Sequence, residues 1–474
     1  MVVDDLETRD FRSLQFGLVC DRRYLRAAHQ SIYMGGMLVG AFFNGFLADR
    51  YGRLRMIAIS VILYCVVALG SAWLPSLGLI LTSRFLLGTM HPTSLTTGFI
   101  LARLLLTRGA ASARDVTSIP RSQAQAFTYR RPWHGSQVME VTEMKWRSTA
   151  GLVTGATWSV GTILWGLFAY LERDWRWLQT FVSLLCPVMV PFLFFMDESP
   201  RWLVVMGRHK EALSVLQRAA RLNGTSLPPK DHLLAVMKNV EQQSSSATAK
   251  NISQPNMARR VLNQVSMLFS TKKLITITVV SCIGFFSVAL IYFGLTLGAS
   301  ALNIDDPFAY VAISGTMELP GILTIFLVEK IGRKKSGIGT FALCAFSLLT
   351  QPLLPASIGW LSMTLVMTGK MAAACAFDVM FLYSSELYPT EIRMQGMSAG
   401  MMASRAGAFI SPFIMSALEP HYPWAISVVF GLMAAVAAVS FIPLWETANT
   451  CLPDTMLQLE AKKEGVAADS PLVK

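Results

Sequence analysis

Charged side chains are scarce in this chain. Asp, Glu, Lys and Arg together make up 15% of its 474 residues, whereas hydrophobic residues make up 53%. Soluble globular domains carry about 25% charged residues, so the composition excludes an ordinary water-soluble protein. The mean hydropathy of +0.47 agrees with a chain that places most of its length in lipid.

Motifs for enzymatic chemistry are also missing. There is no Walker sequence and no phosphate-binding glycine loop, and neither the six histidines nor the seven cysteines cluster with metal-ligand spacing. Residues 1–26 contain acids but no apolar run, so they form neither a signal peptide nor a membrane span. The sequence therefore predicts no enzyme, no metal and no bound cofactor, with an extracellular leader over 1–26.

What the chain does contain is a series of apolar segments, each long enough to cross roughly 30 Å of hydrocarbon. Five lie in the first half, at 27–47, 56–74, 78–101, 149–170 and 177–196. Six lie in the second half, at 274–297, 308–328, 336–354, 358–383, 394–418 and 422–444. The sequence predicts an all-α polytopic membrane protein with about 11 transmembrane helices, in two bundles at 27–196 and 274–444.

Membrane topology explains the positive charge better than nucleic acid does. The formal net charge is +12, but the basic residues concentrate in short loops, as they do on the cytoplasmic side of membrane proteins. This orientation places the loop 197–273 and the tail 445–474 in the cytosol and the N-terminus outside. We expect amphipathic helices in the loop and a flexible linker at Ser244 to Ala249. The expected partners are the lipid bilayer and a small solute.

The second half of the chain repeats three patterns of the first half in the same order. Each pattern pairs charged residues at the end of an apolar segment: Asp49-Arg50-Tyr51-Gly52-Arg53 with Glu329-Lys330-Ile331-Gly332-Arg333, Glu140 and Arg147 with Glu386 and Arg393, and Glu198-Ser199 with Glu446-Thr447. A repeat of membrane-length units is typical of a secondary transporter made of two like halves.

The repeat also locates two irregularities. About 34 additional residues lie between Asp49 and Glu140 compared with the second half. The segment 103–139, rich in Ser, Arg, Gln and Pro, fits a disordered cytosolic insertion. The span 274–297 has no counterpart ahead of 27–47, so a first helix is expected to be absent.

The repeated loops resemble the signature of the major facilitator superfamily. Within it, three further motifs resemble the organic cation, anion and carnitine transporter family, solute carrier family 22: Glu198-Ser-Pro-Arg-Trp-Leu203, Glu386-Leu-Tyr-Pro-Thr-Glu-Ile-Arg393 and Arg405-Ala-Gly-Ala-Phe-Ile-Ser-Pro412. The resemblance implies a major facilitator fold of two pseudo-symmetric helical bundles, without most of the large extracellular loop of that family. It implies transport of small organic ions by alternating access, without ATP. Uniport, exchange and coupling to Na⁺ or H⁺ stay open.

The loop charges are predicted to form a cytosolic latch. An acid near a helix end can meet arginines and helix dipoles in one conformation and release them in another; the alternative is that these charges fix topology alone. The predicted latch residues are Asp49, Arg50, Gly52, Arg53, Glu140, Arg147, Glu198, Arg201, Glu329, Gly332, Arg333, Glu386 and Arg393.

Ionisable residues inside spans are candidates for substrate binding, because charge in the membrane interior is costly. Arg405 stands where anion and carnitine members of the family carry arginine, which favours a carboxylate on the substrate. Glu318 precedes Pro320 and suits a cationic head group or Na⁺. Anionic members have lysine just after this proline, and Ile322 stands there instead. Glu318 with Arg405 therefore suits a zwitterion such as carnitine.

Four further side chains complete the candidate site. Asp378 is either a ligand or proton site or a partner for another helix. Arg84 and Lys370 either snorkel or neutralise an acid. Tyr292 offers an aromatic face for a cation, or packs between helices.

An alternative to transport stays open. A chain without its first helix, and with an insertion between two core helices, is either a working transporter or an inactive membrane protein that acts through a full-length partner. The plasma membrane is the expected location of the first, and retention in the endoplasmic reticulum is expected of the second. The oligomeric state is not predicted.

Overall fold

The structure is a computed structural model of the chain. It describes residues 23–91, 147–172, 174–193, 197–198, 200–223, 227–252, 266–297, 307–319, 321, 324–355, 358–389 and 392–448. The predicted insertion, most of the leader and most of the tail lie outside these residues. The chain divides into unit 1, Met1–Thr157 with Phe168–Arg260, and unit 2, Trp158–Leu167 with Val261–Lys474.

Unit 1 is built from long apolar helices that meet at small residues. They are α1 (Arg23–Tyr51), α2 (Arg53–Ser71), α3 (77–91), α4 (Arg147–Leu171, whose middle groups with unit 2) and α5 (Trp175–Leu185). Asp174 caps α5, because its carboxylate accepts a hydrogen bond of 2.8 Å from the backbone N–H of Arg176. Beyond α5 the chain continues through a 3₁₀ turn, Cys186–Met189, into Val190–Leu193.

Three further helices of unit 1 follow the last apolar segment of the first half. They are α6 (Pro200–Val205), α7 (His209–Asn223) and α8 (Lys230–Ile252), and they share a small core of Leu203, Val204, Ala212 and Met237. Helix α8 includes 244–249, so the prediction of a flexible linker there is wrong. Ala247 and Ala249 are strong helix formers and favour continuation of the helix through this stretch.

Unit 2 contains seven labelled helices. They are α9 (Lys272–Leu297), α10 (Pro307–Glu318), α11 (Thr324–Ile331), α12 (Arg333–Thr350), α13 (Gly359–Leu387), α14 (Arg393–Leu418) and α15 (Pro423–Ser440). A Cβ at Gly407 of α14 would collide with the backbone carbonyl of Phe286 in α9. Small residues therefore let these two helices pack backbone to backbone, as is common in membranes.

Six helices in the described part of the chain are long and apolar enough to cross a membrane. They are Leu54–Ser71, Lys272–Thr296, Arg333–Leu353, Gly359–Leu387, Gln395–Leu418 and Pro423–Ser440. The predicted spans at 27–47 and 149–170 lie within α1 and α4, and the span at 78–101 is described as far as His91. The span at 177–196 contains the 3₁₀ turn after α5.

The predicted span at 308–328 is not one continuous helix. Helix α10 ends at Glu318 and α11 begins at Thr324, and Pro320 stands between them in the sequence. The described residues between the two helices, Leu319 and Gly321, are in 3₁₀ conformation, and a proline in the sequence at this point disfavours one continuous α-helix. The break leaves Glu318 as the last residue of a helix.

Candidate functional site

A buried ion pair joins two of the predicted substrate-binding residues. Lys370 of α13 has its Nζ 3.4 Å from Oε1 of Glu318, and the two side chains are only 2% and 4% exposed. Both charges lie inside unit 2. The sequence suggested that Lys370 neutralises an acid or snorkels, and the structure places it against Glu318.

Tyr292 and Ser314 complete the surroundings of this pair. The Tyr292 hydroxyl donates a hydrogen bond of 2.9 Å to Glu318 Oε1. Its ring centroid lies 4.9 Å from Lys370 Nζ, within the range of a cation–π interaction. Lys370 Nζ also donates to the hydroxyl of Ser314. Four side chains from α9, α10 and α13 therefore form one connected polar cluster.

Each charge of the pair is stabilised in the protein interior by the other. Removing one partner of a buried ion pair leaves an uncompensated charge at a cost of several kcal/mol. A substrate group that displaces Lys370 from Glu318, or Glu318 from Lys370, must therefore carry the same sign as the residue it replaces. In this cluster, a charged ligand can take the place of either Lys370 or Glu318 without leaving the other charge uncompensated.

The structure places three other predicted residues on α13, α14 and α3. Asp378 is eight positions after Lys370, about 12 Å along α13; its side chain is exposed and makes no ion pair or hydrogen bond with the described residues. Arg405 is half-buried on α14, two residues before the close contact at Gly407. Arg84 is half-buried on α3 of unit 1, where its Nη2 donates a hydrogen bond of 3.1 Å to Gln179 Oε1.

The repeated loops form matching helix caps in the two units. In unit 2, Gly332 has φ of +98° and precedes α12, whose first N–H groups meet a distant carboxylate. Glu446 Oε1 accepts a hydrogen bond of 2.7 Å from Arg333 N, and Oε2 accepts one of 3.1 Å from Lys334 N. A carboxylate at this end complements the helix dipole.

Unit 1 repeats this arrangement with Glu198. Gly52 has φ of +105° and precedes α2, and both carboxylate oxygens of Glu198 lie 3.1 Å from the backbone nitrogen of Leu54. The sequence repeat that aligned Glu198 with Glu446 thus corresponds to the same backbone contact in each unit.

An ion pair lies beside the cap of unit 2. Arg333 Nε is 3.2 Å from Glu386 Oε2, with side-chain exposures of 20% and 15%. Thr447 donates a hydrogen bond of 2.6 Å to the same oxygen. Arg393, at the start of α14, donates from Nε to the carbonyl of Tyr388 at 3.3 Å. These contacts connect the ends of α12, α13 and α14 with the chain after α15.

The structure describes few contacts for the remaining predicted latch residues. Glu329 is exposed near the end of α11, and Glu140 lies outside the described residues. The other five lie in helices, and their side chains are not described: Asp49, Arg50, Arg53, Arg147 and Arg201.

Some residues of these clusters were not among the predicted site residues. Ser314 and Gln179 are ordinary polar residues within apolar segments, and their positions give no signal before helix packing is known. Glu446 had a signal, because the repeat aligns it with Glu198. Among the described residues, no group of three or more His, Cys, Asp or Glu side chains is placed to hold a metal ion.

Comparison with known proteins identifies the family. The family described as "Sugar (and other) transporter" matches residues 21–93 and 136–455. The chain belongs to this transporter family. The match omits 94–135, a stretch that overlaps the predicted insertion.

Individual relatives belong to the family predicted from the motifs. The chain is 29% identical to human solute carrier family 22 member 13 over 449 residues, covering 94% of this chain and 71% of that protein. It is also 29% identical to human member 7 over 451 residues, covering 94% and 73%. Member 6 of Danio rerio is 28% identical over 449 residues, covering 94% and 71%. The predicted resemblance to solute carrier family 22 is confirmed.

Solved structures establish the fold. The proton:xylose symporter XylE of the major facilitator superfamily, bound to 6-bromo-6-deoxy-D-glucose, matches with a TM-score of 0.61 and 17% identity, covering 97% of this chain and 94% of that one. The inward-open xylose transporter XylE from E. coli matches with a TM-score of 0.60 and 16% identity, covering 97% and 94%. The predicted helical major facilitator fold is confirmed. The chain is a multi-pass membrane transporter of the organic-ion class, with a small-molecule substrate, and is not an enzyme.

Proposed function

We propose that this transporter carries small organic ions with a carboxylate, and best a zwitterion such as carnitine, by alternating access at the plasma membrane. The observation that carries the proposal is the buried Glu318–Lys370 pair, at the end of a broken helix in unit 2. A buried pair of opposite charges is rarely retained inside a membrane without a role in a pathway.

The pair supports a zwitterionic substrate through exchange of partners. An ammonium group can replace Lys370 at Glu318, beside the ring of Tyr292. A carboxylate can replace Glu318 at Lys370, and Arg405 is the second cation proposed to receive it. A ligand with both charges compensates both members of the pair and leaves no uncompensated charge.

The loop caps support a role in conformational switching. Glu446 and Glu198 each bind the start of the helix that follows a glycine with positive φ, and Glu386 holds Arg333. We propose that these contacts strengthen in one conformation and weaken in another, so that breaking them shifts the alternating-access equilibrium. Coupling to Na⁺ or H⁺ would use Glu318 or Asp378, the two candidate acids of unit 2.

Uptake in cells that express this chain tests the proposal. Labelled carnitine, tetraethylammonium and benzoate are compared, with uptake divided by the amount of protein at the surface. We expect saturable uptake, highest for carnitine. Arg405→Ala should depress carnitine and benzoate more than tetraethylammonium, and Lys370→Gln should depress all three. Lys238→Gln, an exposed lysine of α8, is the matched control and should retain uptake.

Two outcomes would contradict the proposal. Equal loss of carnitine and tetraethylammonium uptake in Arg405→Ala would leave Arg405 a structural residue. No uptake of any probe, despite normal surface delivery, would favour the alternative of an inactive membrane protein that acts through a full-length partner. Retention in the endoplasmic reticulum, measured by surface labelling, would point the same way.

A further inference from the structure

Unit 1 contains a cation whose charge is not balanced by the described residues. Arg84 lies within the apolar helix α3, about 11 Å from its first residue, and is half-buried. Its Nη2 donates to the amide oxygen of Gln179 at 3.1 Å. In the part of the chain that the structure describes, no carboxylate forms an ion pair with this guanidinium, and Tyr33 and Tyr64 lie near it.

The helices around Arg84 carry other polar side chains. Tyr33 and His91 are joined by a hydrogen bond of 2.7 Å between the hydroxyl and Nδ1, with their rings edge to face at 5.8 Å. Tyr64 of α2 lies near both Tyr33 and Arg84. These groups come from α1, α2 and α3, and Gln179 comes from α5. Hydroxyls and amides orient a guanidinium but do not cancel its charge.

Helix packing holds this arrangement together. A Cβ at Gly36 of α1 would collide with the carbonyl of Phe85, and one at Gly88 of α3 would collide with the carbonyl of Tyr33. The two backbones are therefore in contact at Phe85 and Gly88, in the turn of α3 that follows Arg84. Close helix packing of this kind limits the movement of Tyr33 and the α3 side chains, so the polar cluster is preformed.

An arginine inside a predicted membrane span favours a nearby anion. Its guanidinium keeps its proton in proteins, and an uncompensated charge in the membrane interior is expensive. A guanidinium carries five N–H donors, so it can bind a planar acceptor in addition to Gln179. A carboxylate matches that geometry in a bidentate manner, which a spherical anion does not.

We propose that Arg84 is a carboxylate-binding site in unit 1, with Gln179 positioning the guanidinium and the hydroxyls of Tyr33 and Tyr64 assisting. The occupant is the carboxylate of the organic ion, and in this respect the inference rests on the proposed function. The site adds a determinant of specificity that is separate in the chain from the Glu318–Lys370 cluster.

Ligand-dependent thermal stabilisation of the purified full chain in detergent tests the site without requiring transport. The probes are benzoate, uncharged benzyl alcohol as its shape control, tetraethylammonium and chloride. We expect benzoate to raise the melting temperature more than benzyl alcohol or chloride. Arg84→Gln should weaken the apparent affinity for benzoate at least tenfold and leave that for tetraethylammonium within about twofold, because only the carboxylate makes a charge-assisted contact with Arg84.

A second variant places the anion within the protein. Gln179→Glu is nearly isosteric and puts a carboxylate against Arg84, so it should occupy the site and weaken benzoate binding as strongly as Arg84→Gln does. Arg84→Lys should retain part of the affinity, because it keeps the charge but loses the planar fork. Arg176→Gln is the control on the neighbouring turn of α5; its guanidinium lies over the Trp175 ring at 5.2 Å, and benzoate binding should not change.

Several results would overturn the site. They are equal stabilisation by benzoate and benzyl alcohol, stabilisation by chloride equal to that by benzoate, unchanged benzoate binding in Gln179→Glu, or equal loss of benzoate and tetraethylammonium binding in Arg84→Gln. If cells show no uptake but benzoate still raises the melting temperature in a way that depends on Arg84, the transport proposal alone is contradicted. If uptake is normal but the benzoate-induced rise in melting temperature does not depend on Arg84, this site alone is contradicted.

Discussion

Glu446 accepts a hydrogen bond of 2.7 Å from the backbone nitrogen of Arg333, across 113 residues of sequence. The contact fixes the chain after α15 to the first turn of α12. Glu446 also accepts from the backbone nitrogen of Lys334, and the counterpart of that contact in unit 1 joins Glu198 to Leu54 over 144 residues. In each unit the carboxylate replaces the capping side chain that a glycine before the helix cannot supply.

Replacing Gly332 by alanine should destabilise the protein. The residue has φ of 98° and ψ of 162°, a region that side chains occupy at a cost of about 1–3 kcal/mol. Its Cβ would also come within 2.6 Å of Glu446 Oε2. Gly339→Ala on the same helix is the control, because nothing lies within 4 Å of its Cβ. Survival of monodisperse protein after heating would compare them, and equal survival would contradict the prediction.

Substitution of Glu446 should weaken the start of α12. Glutamine keeps one acceptor oxygen but loses the charge, so Glu446→Gln should cost about 1 kcal/mol and Glu446→Ala about 2 kcal/mol. Glu198→Gln in unit 1 should behave similarly. Melting temperatures of purified variants measure the effect. Glu419→Gln, outside these caps, should leave the melting temperature unchanged.

The Glu318–Lys370 pair should show strong coupling in a double-mutant cycle. Either Glu318→Gln or Lys370→Met alone leaves one buried charge and should cost roughly 3–5 kcal/mol. The double variant removes both charges and should cost less than the sum of the two. The comparison uses heat-resistant protein in detergent. Additive losses would show that the two charges do not depend on each other.

Thr447→Val should lower stability through the loss of one hydrogen bond. The Thr447 hydroxyl donates to Glu386 at 2.6 Å, and valine keeps the shape without the donor. A hydrogen bond to a charged group contributes about 1.5–3 kcal/mol. Thr364→Val is the control, since that hydroxyl is exposed and bonds within its own helix. A melting temperature for Thr447→Val equal to that of Thr364→Val would argue against the role of this bond.

The sequence pattern identifies candidate substrate residues one by one, but it does not identify which of them contact each other. The sequence identified Glu318, Lys370 and Tyr292 individually, because charge within an apolar segment and an aromatic face are visible in one dimension. It assigned Glu318 to act with Arg405, whereas the structure pairs Glu318 with Lys370. Which face of α13 meets α10 depends on helix rotation and tilt, and these follow from side-chain packing along the whole interface.

The sequence by itself determined the membrane class, the two like halves and the loop pairs that recur in them, because hydrophobic length and repeated charge patterns are local properties of the chain. Only the tertiary structure decided that Glu198 and Glu446 cap helices, that Lys370 neutralises Glu318, and that Arg84 meets Gln179. Each of these contacts joins residues on different helices, and the free energy of packing, rather than local propensity, sets the rotation that brings them together.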